Sequence, residues 1–150
     1  MSSARVARSR RADYRHVLAI PTRWADNDVY AHVNNVVYYS WFDTVVNQWL
    51  IQNGLLDIAS SPVVSLVVET SCTYFESVAF PEVVDAALAV ERLGSSSVTY
   101  AIAIFRQGSD EAAAQGRFVH VCVERATQKP VPIPGPMRAR LETLLRRSPA

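Results

Sequence analysis

Apolar positions change their spacing along the chain. From Asn35 to about Gln52, Val37, Trp41, Val45 and Trp49 recur every fourth residue, with Tyr38, Phe42, Val46 and Leu50 as an adjacent stripe. That period predicts an α-helix. Its polar residues are confined to a strip around Ser40, Asp43 and Asn47. A helix so apolar is expected to be enclosed by protein on most sides. Asn34 or Asn35 can cap its start, and Asn53-Gly54 ends it, with glycine suited to a left-handed cap. Ahead of it, "YRHVLAIPTRW" (14–24) predicts a strand, with Pro21 marking an edge or a bulge. Residues 25–34 predict a loop. Beyond a loop at 55–61 the period becomes two. "VVSLVVETSCTYF" (63–75) alternates, with Val64, Leu66, Val68, Cys72 and Tyr74 on one face and Glu69 on the other. Residues 82–93, 97–107 and 111–126 predict three further strands. Short connections make these strands antiparallel neighbours. "KPVPIPGP" breaks the sheet, and "MRARLETLLRR" predicts a short terminal helix.

One helix covers four long strands only if the sheet curls around it. The pattern therefore predicts an α+β fold with a central helix wrapped by an antiparallel sheet. A single domain is expected over residues 14–150, preceded by a flexible basic tail at 1–13.

Composition narrows the function. With 150 residues, 49% hydrophobic and 19% charged, the chain has the balance of an ordinary globular protein. A formal net charge of +1 gives no general attraction to nucleic acid or anionic lipid. No apolar run reaches bilayer length, so no membrane partner is expected. No metal-ligand spacing, phosphate loop or nucleophile elbow appears. Cys72 and Cys122 lie inside strand candidates, far from any redox spacing, and are expected as buried free thiols of a cytoplasmic chain.

The candidate chemistry sits just before the helix, in "RWADNDVYAHVNN" (23–35). One capping residue would suffice for folding, and a plain turn with Arg23 paired to Asp26 would account for part of the cluster. A buried helix start also directs free N–H groups and a positive dipole end at one place, where a carbonyl oxygen can be polarised. Asp28 lies seven residues before Asn35 and can fold back beside that place. A carboxylate there supplies a nucleophile or base, and near a helix N-terminus it should stay ionised.

"DNDVYAHVNNVVYYSWFD" resembles the DxDxxGHVNNxxYxxxFE signature of the 4-hydroxybenzoyl-CoA thioesterase-like branch of the hotdog-fold acyl-CoA thioesterases. The similarity covers about residues 14–145 and includes "ERLGSSS" and "ERATQKPVPIP". Ala31 stands where the signature has glycine, and Asp43 where it has glutamate. The resemblance implies the hotdog fold and hydrolysis of an acyl-CoA thioester, with no cofactor because CoA belongs to the substrate. It implies Asp28 as the catalytic carboxylate and the backbone N–H near Asn35 as the polarising donor. It also implies homodimers or homotetramers, with part of each site from a neighbour.

Histidine is a residue type suited to proton transfer, which makes His32 a catalytic candidate, and Asn34 is a candidate for substrate contact as well as capping. Tyr38 is a candidate wall of the acyl pocket. Ser96 and Ser97 could meet the pantetheine arm, and Glu69 could reach a partner subunit's site. Two other functions fit the same fold: a thioesterase acting on acyl-carrier protein, and a non-catalytic acyl-CoA-binding module.

Overall fold

The protein is described by a computed structural model covering residues 6–146. The element order is β1 (His16–Pro21), α1 (Asn35–Gln52), β2 (Val63–Tyr74), β3 (Val83–Leu93), β4 (Ser97–Arg106), β5 (Ala114–Glu124) and α2 (Gly135–Glu142). The long helix begins and ends where its stripes predict. Asn34, rather than Asn35, is the cap: its Oδ1 accepts from Val36 N at 3.0 Å. At the other end Gly54 takes φ +69°, the left-handed conformation that favours glycine.

All five strands pair antiparallel in the order β1-β3-β4-β5-β2. The short turns make β3, β4 and β5 a meander, and β1 and β2 are left as the two edges. Side chains alternate across the sheet. The inner set includes Leu88, Tyr100, Ile102, Ile104 and Phe118, which form one core with Tyr38, Phe42, Val45 and Val46 of α1. Gly116 of β5 is held by a close approach, since a Cβ there would lie 1.8 Å from Ser71 O of β2.

Three expectations need correction. Enclosure of α1 is one-sided: Trp41, Phe42, Val45 and Val46 are buried, but Val36 is 72% exposed and Ser40, Asp43 and Thr44 face solvent. The alternation in β2 is broken by a bulge at Val68, since Val67 pairs with His120 and Glu69 with Val119. Beyond the bulge the faces exchange. Ser65, Val67, Thr70, Cys72 and Tyr74 share the helix side, and Glu69 lies with Val64 and Leu66 on the outer side rather than opposite them.

The third correction is the expected tail. Residues 1–5 lie outside the described residues, but 8–13 are tied to the sheet. Arg10 pairs with Asp110 at 3.0 Å and Arg11 with Asp85 at 2.9 Å, and Arg11 also stacks over Phe105. This strap, with Tyr14, covers an outer face made largely of Ala87, Ala89, Ala101 and Ala103. Cys72 and Cys122 are free thiols. Burial holds the Cys72 thiol up at about 11.

Candidate active site

The polar loop before α1 is a closed structure. Asn27 bridges Val33, Asp28 N donates to His32 O at 2.9 Å, and Ala31 N donates to Asp28 O at 3.0 Å. This tight path requires φ +63° at residue 31, which explains why the signature carries glycine there and leaves Ala31 in a strained conformation. Asp26 is buried and structural. It takes three hydrogen bonds from Arg23, at 2.7, 3.0 and 2.7 Å, while its carbonyl accepts from Asn34 N at 2.9 Å. Val33 N donates to Val78 O at 2.7 Å and fixes the loop against the chain beyond β2.

Asp28 is held differently. Its Oδ1 accepts from Tyr30 N at 2.9 Å, and its Oδ2 makes no hydrogen bond among the described residues. At the helix start, Val36 N goes to Asn34 Oδ1 and Val37 N to Asn34 O, whereas the Asn35 N–H finds no acceptor among the described residues. Asp28, His32, Asn35 and Tyr38 line one cavity of about 350 Å³. A residue with an uncommitted carboxylate oxygen and the residue with an uncommitted helix-start donor thus line the same cavity.

Tyr38 forms the floor. It is 2% exposed, burial pushes its phenol up to about 12, and its ring meets Tyr74 edge-on at 5.0 Å. Tyr74 in turn donates its hydroxyl to Asn35 O at 3.1 Å and so braces the first helical peptide. The far wall is Tyr74, Phe75 and Glu76. None of these three stands out in the sequence as a site residue, because only the β2–β5 register brings the end of β2 to the start of α1.

The other sequence candidates are not gathered here within one chain. Ala114 pairs with both Tyr74 and Ile104, which places the cavity at that end of β4. Ser97 begins β4 seven residues away, roughly 23 Å along the strand, and Ser96 lies beyond it. Glu69 is exposed on the outer face, five residues before Tyr74. Asn34 stands beside the cavity as the cap, its Oδ1 already committed to Val36 N. A separate apolar cavity of about 250 Å³ lies at the other end of α1, lined by Asn47, Leu50, Leu56 and Met137.

A five-stranded antiparallel sheet curled around one long helix, with a carboxylate loop at the helix start, defines the hotdog-fold thioesterase class. The chain belongs to the thioesterase-like superfamily, which its sequence matches over residues 22–141. It is similar to the PA5185 protein of Pseudomonas aeruginosa, with 51% identity and a TM-score of 0.92 over 95% of this chain and 99% of that one. A 1,4-dihydroxy-2-naphthoyl-CoA thioesterase from Synechocystis shares the fold at 17% identity and TM-score 0.75, over 83% of this chain and 93% of that one. The gentisyl-coenzyme A thioesterase BH1999 does so at 20% identity and TM-score 0.76, over 84% and 99%. No curated protein matches the sequence.

Proposed function

We propose that this thioesterase hydrolyses an acyl- or aroyl-CoA thioester to the free acid and CoA, with Asp28 as nucleophile or general base. The observation that carries the reading is the shared cavity of Asp28 and the unpaired Asn35 N–H. The thioester carbonyl oxygen would take the Asn35 N–H and the positive end of the helix, so charge developing on that oxygen meets a preorganised donor. Asp28 Oδ2 then either attacks the carbonyl carbon, giving a mixed anhydride that water opens, or takes a proton from an attacking water. In both routes the sulfur leaves as thiolate and is protonated to CoA. His32 stands on the same cavity as a proton-transfer group, and the reaction asks for no cofactor. The two CoA thioesterases of like fold act on aromatic acyl groups, which favours an aroyl substrate beside Tyr38 and Tyr74.

The sheet edges support an assembly of several copies. The β1 edge has six residues and ends at Pro21, whereas β2 presents twelve, with Leu66, Val67 and Val68 each at least 40% exposed. A long apolar edge invites a second copy. The reading is a homodimer or homotetramer, and Glu69, Ser96 and Ser97 would reach a catalytic cavity only through a partner.

Thiol release from a panel of short, long and aromatic acyl-CoAs tests the reaction. Turnover of at least one, lost in Asp28→Asn without loss of fold, is the expected result. Inactivity across the panel, or full activity in Asp28→Asn, refutes it.

A further inference from the structure

The N-terminal strap reaches two residues that line the candidate cavity, Phe75 and Glu76. Gln115 anchors it from both sides, accepting from Ser9 N at 2.6 Å and donating to Ala7 O at 2.9 Å. Ala112 N donates to Ser9 O at 3.0 Å and continues the pairing. Held there, Arg8 donates its Nε to Ala112 O at 3.0 Å and turns its guanidinium to the end of β2. It ion-pairs with Glu76 and lies over the Phe75 ring, 5.5 Å from its centroid. Glu76 and Phe75 line the same cavity as Asp28 and Asn35.

This wall has little else to hold it. The Phe75 and Glu76 amides both donate to Ala113 O, at 2.8 and 3.1 Å, and the β2–β5 ladder stops at Tyr74. Beyond Arg8, Glu76 has only Arg106 as a cation among the described residues, at 3.7 Å, and Arg106 is already committed to Glu82 at 2.7 Å. The Arg8 and Glu76 side chains are 30% and 34% exposed, so the pair is partly shielded from water and from salt. One guanidinium thus fixes a carboxylate and an aromatic face together, which a planar, multidentate cation does and a point charge does not.

We propose that Arg8 is a positioning residue for the candidate active site, so the N-terminal strap is a working part of that site. The inference rests on the thioesterase reading for its activity readout. Arg8 touches no reacting atom. It sets the wall against which the acyl-CoA is seated, and therefore acts on binding more than on the chemical step.

Four variants test this on the full chain: Arg8→Ala, Arg8→Lys, Glu76→Gln and the double variant Arg8→Ala/Glu76→Gln. Arg10→Ala, whose pair with Asp110 is exposed, is the control. Arg8→Ala should raise KM by about five-fold and leave kcat within about two-fold, the pattern of lost uniform binding. Arg8→Lys keeps the charge but loses the fork and should give an intermediate KM. The double variant should be no worse than Arg8→Ala, and Arg10→Ala should match the parent. Amide hydrogen exchange at residues 75–77 should quicken by about ten-fold in Arg8→Ala, reporting local opening without any need for turnover. An unchanged KM in Arg8→Ala, or additive effects of the two single changes, overturns the proposal. If the parent chain turns over no substrate, the thioesterase reading fails and the exchange result alone decides, with unchanged exchange at 75–77 overturning the role of Arg8.

Discussion

The two ends of α1 are built to different standards. At the C-terminal end three of the last four carbonyls are satisfied: Asn53 N and Nδ2 both donate to Trp49 O, at 3.1 and 2.8 Å, Gly54 N donates to Ile51 O at 3.0 Å, and Leu55 N to Leu50 O at 2.9 Å. At the N-terminal end the cap is present, yet the Asn35 N–H and Asp28 Oδ2 find no partner among the described residues, and both residues line one cavity. Folding alone completes hydrogen bonds wherever it can. An end that keeps a backbone donor without a partner among the described residues, beside a cavity, is where substrate is expected to supply that partner.

The largest test of that contrast is chemical. Asp28→Asn should lower kcat by about 10³-fold while the thermal midpoint stays within a degree or two of the parent, because the amide keeps the Tyr30 bond but is no base or nucleophile. Steady-state kinetics beside thermal unfolding would show it, and a parallel fall in stability would assign Asp28 to structure instead.

Another polar atom without a partner among the described residues, His120 Nδ1, provides the counter-example. It is buried between Tyr100 and Phe118 and absent from the cavity at the helix start, and burial lowers its pKa to about 4. Here the folded-state pKa lies below the unfolded value of 6.5, so below that pH the unfolded chain binds the proton first. Stability should be flat above about pH 7, decline as pH falls through 6.5, and be lower by about 3 kcal/mol near pH 4. Denaturant melts across that range should show the slope in the parent and lose most of it in His120→Phe. An equal slope in both would mean that other groups set the acid limit.

Gly54→Ala tests the C-terminal end. Forcing a Cβ into φ +69° should cost about 1 kcal/mol of stability and leave KM and kcat unchanged, since nothing there touches the cavity. Asn34→Ala tests the cap at the open end. Loss of the Val36 bond should cost about 1 kcal/mol, and kcat should fall by about three-fold as the neighbouring Asn35 peptide loosens. Equal kinetic silence in both variants would erase the difference between the two ends.

Local chemistry made much of this legible in advance. Asn34, the double apolar stripe and Asn53-Gly54 mark the helix to the residue, and short glycine- and serine-bearing turns fix the meander. The loop of Asp28 and His32 and the helix start at Asn35 were readable for the same reason, since all lie within eight residues of one another. What could not be read depends on contacts distant in sequence. The bulge at Val68 reverses the face of Glu69, yet nothing in "SLVVETS" marks it. Arg8 and Arg11 look like a solvated basic tail until Glu76 and Asp85 are seen, 68 and 74 residues away. Phe75 and Glu76 likewise become cavity walls only through register.

The outer surface of β3 and β4 is tiled with methyl groups, and Ala87, Ala89, Ala101 and Ala103 owe their burial to Tyr14, Phe105 and the segment before them. So flat a surface offers no knobs to grip a replacement cover. A shortened gene product beginning after Tyr14 would therefore bare a smooth, sticky plate and tend to precipitate, even with every strand and the reactive carboxylate in place.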